Sequence, residues 1–477
     1  MDTVKSRSKD AKVGTNRLVQ LLGQWSSGTG PIYQQLASGV ESLIDDGSLR
    51  AGDRLPPERR FAEDLAVSRG TVVKAFDLLE SNDRVSRVQG QGTTVTGNLV
   101  RTSTDADFVG ERLWMNEGGA LDLLKAIPRL LPSMAALVDN LNLSEHVADL
   151  DGSEPLGWWS LREMIAELHT SQGMATSPHQ IMVTSGAQQA ITLVVNSMVH
   201  PGDTVLGEDD TWPGLIDAVR HRGARFEPVR MDQHGIIVDE LEAKVSRFRP
   251  VLIALNPQHQ NPTGTRLPPE RVEAVASIAQ RYRVPVLEDR VAADLGFDRR
   301  HLPAIDEFQT GGYGITVGSI CKVAWPGLRL GWMRADAQVV NRLRSHKAVL
   351  DMFTPALSQL LGIEVIRRYD EFVAARVEDI RPSAEVLTRR IKADFEGWSF
   401  VAPRGGLSLW ATLPNGVSAD AFVQAASQRG VLAASGRQFC PNDADCSSIR
   451  IPFTAPVDVL ETAMDRLAET WDSFIRS

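Results

Sequence analysis

One stretch decides how the rest of this sequence is interpreted: GSICKVAWPGLRLGW, residues 318–332. It follows the apolar segment YGITVG, which predicts a buried strand, and it places Lys322 seven residues before Arg329. A lysine that a strand end delivers into a buried site becomes nucleophilic, because burial disfavours its charged form. An arginine nearby suits a phosphate, which the guanidinium binds through two parallel hydrogen bonds. A surface lysine and a structural arginine explain this stretch equally well, so the surrounding sequence must decide.

Length and composition exclude several classes of protein. The chain has 477 residues, 43% of them hydrophobic and 23% charged, as in ordinary globular proteins. This length predicts roughly two to four domains. The start MDTVKSRSKDAK lacks the apolar core of a secretory signal, and no apolar run is long enough to predict a membrane span. The three cysteines form no disulfide framework and no metal-ligand pattern, which favours a reduced cytoplasmic protein without a metal site.

The first hundred residues predict three helices and a hairpin. Pro31 begins an amphipathic helix, a second starts near Pro57, and Ser68 is a good N-cap for a third. The segment RVSRVQGQGTTVTG then predicts two short strands with Gly90 and Gly92 at the tip. This order is the outline of a winged helix-turn-helix, and a small helical domain that binds protein is the alternative.

In a winged helix-turn-helix the third helix enters the major groove of double-stranded DNA with its N-terminal residues facing base edges. Arg69 lies there and suits a guanine edge, whereas Arg59 and Arg60 begin the preceding helix and suit phosphates. Glycines at the wing tip allow the backbone to approach a groove closely. The candidate DNA contacts are Arg59, Arg60, Ser68, Arg69, Thr71, Gly90 and Gly92.

The same segment resembles a known family. The sequences PIYQQL, GSLRAGDRLPPERRFAEDLAVSRGTVVKAFDLLE and QGQGTTV occur in the order and spacing of the DNA-binding domain of GntR-type bacterial repressors. The resemblance covers about residues 30–96 and implies operator DNA as a partner. Pro57 stands where that family usually has a small polar residue and Gly70 where it often has Asn, which concerns base preference rather than docking.

The chain beyond residue 96 predicts a linker and a second, larger domain. Residues 1–28 are expected to form a flexible tail with one short helix at most, residues 29–96 the DNA-binding domain, and residues 97–118 a polar linker. From residue 119 to 477, helix-like and strand-like segments alternate, which predicts an α/β domain with a largely parallel sheet. Ligands of such sheets bind at the carboxyl ends of the strands.

Several candidate residues follow predicted strands of this second domain. The turn SGAQ at 185–188 opens a helix and suits a phosphate, because the helix start offers free N–H groups. Trp212 suits stacking on a planar ring, the Asn261 amide suits a phenolic oxygen, and Asp289 suits a protonated ring nitrogen. Arg450, in SSIRIPF, suits a carboxylate. Taken singly, each has an ordinary structural explanation as a packed, capping or surface residue.

The order of these pieces resembles the fold-type I aminotransferases, which use pyridoxal 5′-phosphate. VTSGAQQA, NPTG, ED, the lysine before PGLRLGW, PRGGLSLW and IRI carry the resemblance over about residues 119–477. It implies that Lys322 forms the Schiff base, that Asp289 keeps the pyridine nitrogen protonated and that Asn261 contacts the ring hydroxyl. It also implies that Trp212 stacks on the ring and that Arg450 takes a substrate carboxylate. The residues it implies as phosphate ligands are Ser185, Gly186, Ala187, Ser319 and Arg329, and Gln188 is expected to belong to the same cofactor site.

A GntR-type domain ahead of an aminotransferase-like domain resembles the MocR subfamily of transcription regulators. That resemblance implies a homodimer whose second domain senses a small amino compound or amino acid. Val291 and Gly152 stand where relatives usually have Tyr, which makes efficient turnover less expected. The first hypothesis is therefore a cofactor-dependent regulator. The alternatives are an active aminotransferase with an accessory DNA-binding domain and a sensor that has lost its cofactor.

Overall fold

The structure of the chain is a computed structural model. It describes residues 15–23, 25–26, 30–45, 48–50, 52–82, 84–88, 92–96, 120–141, 154–308, 311–414, 416–441 and 447–475. The expected linker, Gly90, Gly152 and the first fourteen residues lie outside the described residues. No described helix is long and apolar enough to cross a membrane.

The N-terminal domain has the predicted helices and wing. Its elements are α1 (Thr15–Leu22), α2 (Ile32–Asp45), α3 (Glu58–Asp64), α4 (Arg69–Ser81), β1 (Val85–Val88) and β2 (Gly92–Val95). The two strands are antiparallel, and Val85 pairs with Val95. Helix α4 begins where predicted, because the Ser68 side chain accepts a hydrogen bond from the backbone N–H of Thr71 and so caps the helix.

Helix α1 corrects the expectation of a flexible tail up to residue 28. Leu18 is fully buried, and Val19, Leu22 and Trp25 are nearly so, in the same core as α2, α3 and α4. These apolar residues recur at helical spacing, so the helix has one face that the neighbouring helices cover. The short helix expected near Leu18 is therefore part of the DNA-binding domain's core.

The second domain contains two sheets surrounded by helices. Its strands are β3 (Leu121–Leu123), β4 (Ile181–Thr184), β5 (Thr204–Glu208), β6 (Arg225–Val229), β7 (Met231–Asp232), β8 (Gly235–Ile236), β9 (Leu252–Leu255), β10 (Val286–Asp289), β11 (Gly314–Ser319), β12 (Gly331–Arg334), β13 (Ser399–Phe400), β14 (Ser408–Thr412), β15 (Val431–Ser435) and β16 (Ser448–Pro452). Its helices are α5 (Pro132–Asn140), α6 (Trp159–Ser171), α7 (Ala187–Met198), α8 (Pro213–His221), α9 (Val238–Phe248), α10 (Pro269–Tyr282), α11 (Ala337–Leu350), α12 (Ala356–Arg367), α13 (Tyr369–Asp394), α14 (Ala419–Gln428) and α15 (Val457–Ile475).

The larger sheet positions most of the candidate residues. Its seven strands run in the order β4-β12-β11-β10-β9-β5-β6, all parallel except β12, which is antiparallel to both neighbours. Strands β9, β10 and β11 are fully or almost fully buried, since apolar clusters cover both faces of the sheet. Because these three strands are parallel neighbours, the residues that follow them meet at one edge of the sheet.

The smaller sheet carries Arg450 and the first strand of the domain. Its order is β13-β14-β16-β15-β3, and β3 is the one strand that pairs in parallel. Arg450 lies in the middle strand β16, opposite Trp410 on β14 and Ala434 on β15. The strand that first enters the domain after the expected linker, β3, is therefore one strand away from the strand that bears Arg450.

The two domains touch through a turn after α1. The Ser26 hydroxyl lies 2.6 Å from the hydroxyl of Ser427, and the Gln424 amide donates a hydrogen bond to the carbonyl of Gly23. Both partner residues lie on α14, which packs on strand β15 of the smaller sheet. The DNA-binding domain thus contacts the same part of the second domain that carries Arg450.

Candidate cofactor and effector site

A cavity of about 920 Å³ opens where the carboxyl ends of the large sheet face the smaller sheet. The predicted residues that line it are Ala187, Gln188, Trp212, Asn261, Asp289, Ser319, Lys322, Arg329 and Arg450. Ser185 and Gly186, which directly precede Ala187, are not among the lining residues. The fold therefore brings together residues that are up to 263 positions apart in the sequence, from Ala187 to Arg450.

Lys322 lies in the turn that follows the buried strand β11. Burial lowers the pKa of its ammonium from 10.5 to about 8, although the carboxyl of Asp289 acts in the opposite direction. Its Nζ donates a hydrogen bond to the backbone carbonyl of Ala126 at 2.8 Å. A substantial fraction of Lys322 is thus neutral just above neutral pH, as a nucleophilic amine requires.

Asp289 is the last residue of strand β10. Burial raises the pKa of its carboxyl to about 6, and hydrogen bonding from the Val291 N–H together with the charge of Lys322 limits the rise. The Val291 N–H donates to the Asp289 carboxylate at 3.0 Å. Asp289 is therefore mostly ionised at neutral pH, which suits an anion that must face a protonated ring nitrogen.

Arg450 and Asn261 form a polar pair on the opposite side of the cavity. The Arg450 Nη1 donates to the Asn261 side-chain carbonyl at 3.1 Å, and its Nη2 donates to the backbone carbonyl of Leu124. The guanidinium lies 4.6 Å from the ring centroid of Phe439. Its Nε is buried and has no hydrogen-bond partner among the described residues. A positively charged donor with spare capacity is what a carboxylate ligand requires.

Trp212 is held in place by Gln188. The indole N–H donates to the Gln188 side-chain carbonyl at 2.6 Å, and the Gln188 amide donates to the carbonyl of Gly214 at 2.9 Å. Both residues line the cavity, so the Trp212 ring is fixed in its wall. The side chain of Gln188 is thereby used to orient the indole, whereas its backbone belongs to the first turn of α7.

The turn at residues 185–188, called the phosphate turn here after its predicted ligand, lies close to Arg329. Gly186 has φ +91°, and an added Cβ there would lie 3.1 Å from the Arg329 guanidinium. An added Cβ at Gly331 would lie 2.8 Å from the Gly186 carbonyl carbon and 2.9 Å from the backbone nitrogen of Ala187. Only glycine satisfies both positions. The start of α7, whose first N–H groups have no partner within the helix, is therefore packed against Arg329.

Two predicted phosphate ligands use their hydroxyl groups elsewhere. The Ser185 hydroxyl lies 3.4 Å from the Asp351 carboxylate, and the backbone N–H of Ser185 donates to the Gln189 side-chain oxygen at 2.8 Å. The Ser319 hydroxyl donates to the carbonyl of Leu330 at 2.8 Å, although Ser319 does line the cavity. Ser185 and Gly186 are therefore absent from the cavity lining, and their role in holding a phosphate stays a prediction.

Sequence reasoning missed Asn256, which lines the cavity, and the Glu208 carboxylate that supports it. This residue directly follows β9, its amide donates to the backbone carbonyl of Asp289 at 2.6 Å, and its side-chain oxygen accepts the N–H of Asn261 at 2.7 Å. The Glu208 carboxylate accepts the Asn256 N–H at 2.9 Å, and burial raises the pKa of Glu208 to about 8. A polar residue at a strand end was the available signal for Asn256, whereas nothing in the sequence marks the buried Glu208.

The candidate DNA contacts lie on the exposed start of α3 and α4. Arg69 is 70% exposed and pairs with Glu58 at 3.1 Å, and Arg59 and Arg60 pair with acids one helical turn further on. Such surface pairs are weak and can be exchanged for phosphates. The Ser68 and Thr71 hydroxyls lie 2.9 Å apart, so they are engaged with each other at the helix start. Gly92 begins β2, and Gly90 lies outside the described residues.

The cavity residues fit pyridoxal 5′-phosphate. The amine of Lys322 suits its aldehyde, the ionised Asp289 its pyridine nitrogen, and Trp212 its ring face. Arg329 and the N–H groups at the start of α7 offer positive charge and donors for its phosphate. When bound, this cofactor supplies an electron sink for bonds to an amino carbon.

Comparisons with known proteins agree with this arrangement. Residues 153–467 match the family model of the class I and II aminotransferases, and residues 32–95 match that of the bacterial regulatory proteins of the gntR family. The HTH-type transcriptional regulator TauR of Rhodobacter capsulatus is 26% identical, over 86% of this chain and 90% of its own length. The uncharacterised HTH-type transcriptional regulator YisV of Bacillus subtilis is 25% identical, over 92% and 96%.

A solved structure shows the same fold for the second domain. The α-aminoadipate aminotransferase LysN of Thermus thermophilus, complexed with N-(5′-phosphopyridoxyl)-L-leucine, superposes with a TM-score of 0.69. It is 26% identical and covers 74% of this chain and 92% of its own.

Fold, site and comparisons together define a class of protein: a GntR-type winged helix-turn-helix fused to a fold-type I domain whose cofactor is pyridoxal 5′-phosphate. The chain belongs to the aminotransferase class I and II family, and the domain ahead of it makes it a GntR regulator of the MocR type. The fold class predicted from the sequence and the predicted cofactor are thereby confirmed.

Proposed function

We propose that this protein is a DNA-binding transcription regulator whose second domain senses an amino acid or similar amino compound at Lys322 and Arg450. The observation that carries the proposal is that both residues donate hydrogen bonds to one short segment, Leu124–Ala126. We call this the connecting segment, because it follows β3, the first described strand after the expected linker to the DNA-binding domain. Ligand binding and domain linkage thus meet at the same backbone.

The chemistry of the cavity supports an effector that carries both an amine and a carboxylate. Arg450 offers a charge-assisted, bidentate partner for the carboxylate, and Asn261 fixes the guanidinium in place. The amine would then face the cofactor that Lys322 holds. A neutral backbone carbonyl is a weaker partner for a guanidinium than a carboxylate, so the effector displaces the carbonyl of Leu124.

Displacement of the connecting segment gives the effector a route to the DNA-binding domain. The segment continues from β3, which pairs with β15, and β15 packs against α14, which touches the turn after α1. An effector that binds one arrangement of these elements better than the other shifts their population, and operator affinity follows by linkage. Since its partner is genomic DNA, we place the regulator in the cytoplasm.

Exposed apolar side chains support a homodimer. Val349, Leu350 and Met352 at the end of α11 and Leu357 at the start of α12 are exposed, Val349 by 90%. Exposed apolar side chains that lie this close together in the sequence are typical of a protein interface, and a second copy of the chain is the proposed occupant. Sedimentation of Val349→Glu should show a shift towards the monomer; an unchanged dimer would place the interface elsewhere.

An active aminotransferase remains the second candidate. The completeness of the set Lys322, Asp289, Asn261 and Arg450 favours it, because these residues suffice to bind an amino acid and position its amine. Val291, which lines the cavity near Asp289, offers no hydroxyl there. Appearance of keto acid with many turnovers per site would favour the enzyme.

The deciding experiment measures DNA affinity of the full chain with and without amino acids. The probe is a duplex that covers the intergenic region in front of its own coding sequence, and the variants are the parent, Lys322→Ala and the exposed control Arg389→Ala. We expect at least one amino acid to change the affinity of the parent and of the control, but not of Lys322→Ala. The sensing role would be overturned if no amino acid changed the DNA affinity of the parent and the parent formed keto acid rapidly.

A further inference from the structure

A buried ion pair lies behind the phosphate turn. The side chain of Lys347 is fully buried in α11, and its Nζ lies 2.7 and 3.0 Å from the two carboxylate oxygens of Asp351. Neither residue lines the cavity. Burial lowers the pKa of Lys347, and the hydrogen bonds and charge of Asp351 oppose that shift. The lysine therefore depends on Asp351, because its charge alone would be costly in a fully buried position, whereas Asp351 is 22% exposed.

The carboxylate of this pair reaches the first residue of the phosphate turn. Its Oδ2 accepts a hydrogen bond from the Gln189 amide at 2.6 Å and lies 3.4 Å from the Ser185 hydroxyl. The Gln189 side-chain oxygen in turn accepts the N–H of Ser185 at 2.8 Å. The O–H of Ser185 thus faces Asp351, which directly follows α11, and its N–H is held by Gln189 of α7, which Asp351 itself binds.

The remaining polar group of Ser185 connects the network to the cofactor's phosphate site. Its carbonyl accepts a hydrogen bond from the Arg329 Nη2 at 3.0 Å. Arg329 has a left-handed backbone at φ +48° and an exposed guanidinium, so this contact restrains a side chain that would otherwise be mobile. Ser185 therefore joins Arg329 on one side to Asp351 and Gln189 on the other.

Electrostatics explains why the network contains a lysine. A carboxylate one residue layer behind the turn would repel the phosphate dianion of the cofactor, and the low dielectric of the interior would strengthen that repulsion. Lys347 cancels this charge while it leaves the carboxylate oxygens available as acceptors for Gln189 and Ser185. The turn obtains rigid hydrogen bonds without a net negative charge.

We propose that Lys347, Asp351 and Gln189 are positioning residues of the phosphate site. They hold Ser185, and through it Arg329 and the start of α7, in the arrangement that binds a phosphate. This inference rests on the assignment of pyridoxal 5′-phosphate to the cavity and does not depend on the sensing role.

The test compares two ligands that differ only in the phosphate. Pyridoxal 5′-phosphate and pyridoxal are titrated separately into the cofactor-free full chain, followed by absorbance. The main variant is Lys347→Met, which removes the charge and keeps the shape, and the matched control is Lys392→Met on the surface of α13. We expect Lys347→Met to weaken pyridoxal 5′-phosphate binding about tenfold or more, the order of loss that follows removal of a hydrogen-bond partner of a metal ligand. Pyridoxal affinity should change little.

Two further variants separate charge from rigidity. The double variant Lys347→Met/Asp351→Asn no longer buries an unpaired charge and should recover much of the lost affinity. Gln189→Met leaves the ion pair intact and should still weaken pyridoxal 5′-phosphate several-fold, so the inference can be tested even if Lys347→Met does not fold. Equal losses for both ligands in Lys347→Met and Gln189→Met, or no loss for either, would overturn the proposal. Neither outcome would affect the DNA-affinity test of the sensing role.

Discussion

At the scale of single residues, the lysine of the opening stretch is governed by its burial. Lys322 has a pKa of about 8 rather than 10.5, because its ammonium is removed from water. The neutral amine is the form that reacts with an aldehyde, and it predominates above pH 8. An exposed lysine reaches the same neutral fraction only more than two pH units higher.

We therefore predict that attachment of pyridoxal 5′-phosphate to the cofactor-free chain accelerates from pH 6.5 and levels off above about pH 8. The measurement is the initial rate of the change in cofactor absorbance at fixed ligand concentration. The variant Lys322→Ala should show no covalent attachment after borohydride reduction, whereas Lys392→Ala should behave like the parent. A rate that continues to rise steeply through pH 9.5 would indicate an unperturbed lysine.

A second prediction at this scale concerns Arg450. The phosphate and ring contacts are predicted to come from other residues, so Arg450→Ala should retain the cofactor and lose affinity for amino acids. Loss of a hydrogen bond to a charged group costs about 1–3 kcal/mol, which corresponds to roughly a five- to hundredfold weaker affinity. Titration of amino acids against the absorbance of the bound cofactor measures this loss. An unchanged response to every carboxylate-bearing ligand would show that the carboxylate binds elsewhere.

At the scale of elements, the first turn of helix α4 contains both its N-cap, Ser68, and an exposed residue that is predicted to contact DNA, Arg69. Ser68 caps the helix through the N–H of Thr71, whereas the Arg69 side chain projects into solvent. The two roles separate by substitution. Ser68→Ala removes the cap and should destabilise the DNA-binding domain by about 1 kcal/mol, and Ser68→Asp should restore most of that stability. Thermal or denaturant unfolding of the full chain measures both effects.

The exposed arginine should behave in the opposite way. Arg69→Ala should leave the stability unchanged, since its ion pair with Glu58 is on the surface. If Arg69 contacts a guanine edge, operator affinity should fall by about 1–3 kcal/mol and the preference at one base pair should relax. Arg59→Ala should instead weaken binding to all sequences and reduce the salt dependence. Parent-like affinity in both variants would remove these residues from the interface.

At the scale of the whole molecule, two hydrogen bonds among the described residues join the turn after α1 to helix α14. Ser427 and Gln424 supply these hydrogen bonds, and both lie on a helix that packs on the smaller sheet. Interfaces of this kind permit relative motion of domains. A rearrangement of the smaller sheet on effector binding would therefore reach the DNA-binding domain through the contact between α14 and the turn after α1.

We predict that Ser427→Ala/Gln424→Ala reduces the effect of an amino acid on DNA affinity while it preserves cofactor binding and amino acid binding. The measured quantity is the ratio of DNA dissociation constants with and without the amino acid, which should fall towards one. Ser473→Ala, a surface change on α15, serves as the control. An unaltered ratio would assign the coupling to the connecting segment alone.

Motifs in the sequence were enough to predict the two families, the fold class, the cofactor and the cavity residues Lys322, Asp289 and Asn261. Lys322 follows a strand, Asp289 ends one and Asn261 begins a rigid turn after one, and in a parallel sheet such positions meet at one edge. Helix α4 could also be predicted from the sequence, because an N-cap and an apolar face are local properties.

The sequence did not predict which polar groups of these residues already have hydrogen-bond partners within the protein; that became clear from the folded structure. The hydroxyl of Ser185 turns to Asp351, Gln188 holds Trp212, and Arg450 meets a carbonyl more than three hundred positions away at Leu124. Hydrogen-bond partners of this kind depend on packing between distant elements, for which local propensity carries no signal. The buried Lys347 illustrates the limit: in the sequence it is one charged residue on an amphipathic helix, and only the fold gives it a partner and a place behind the phosphate turn.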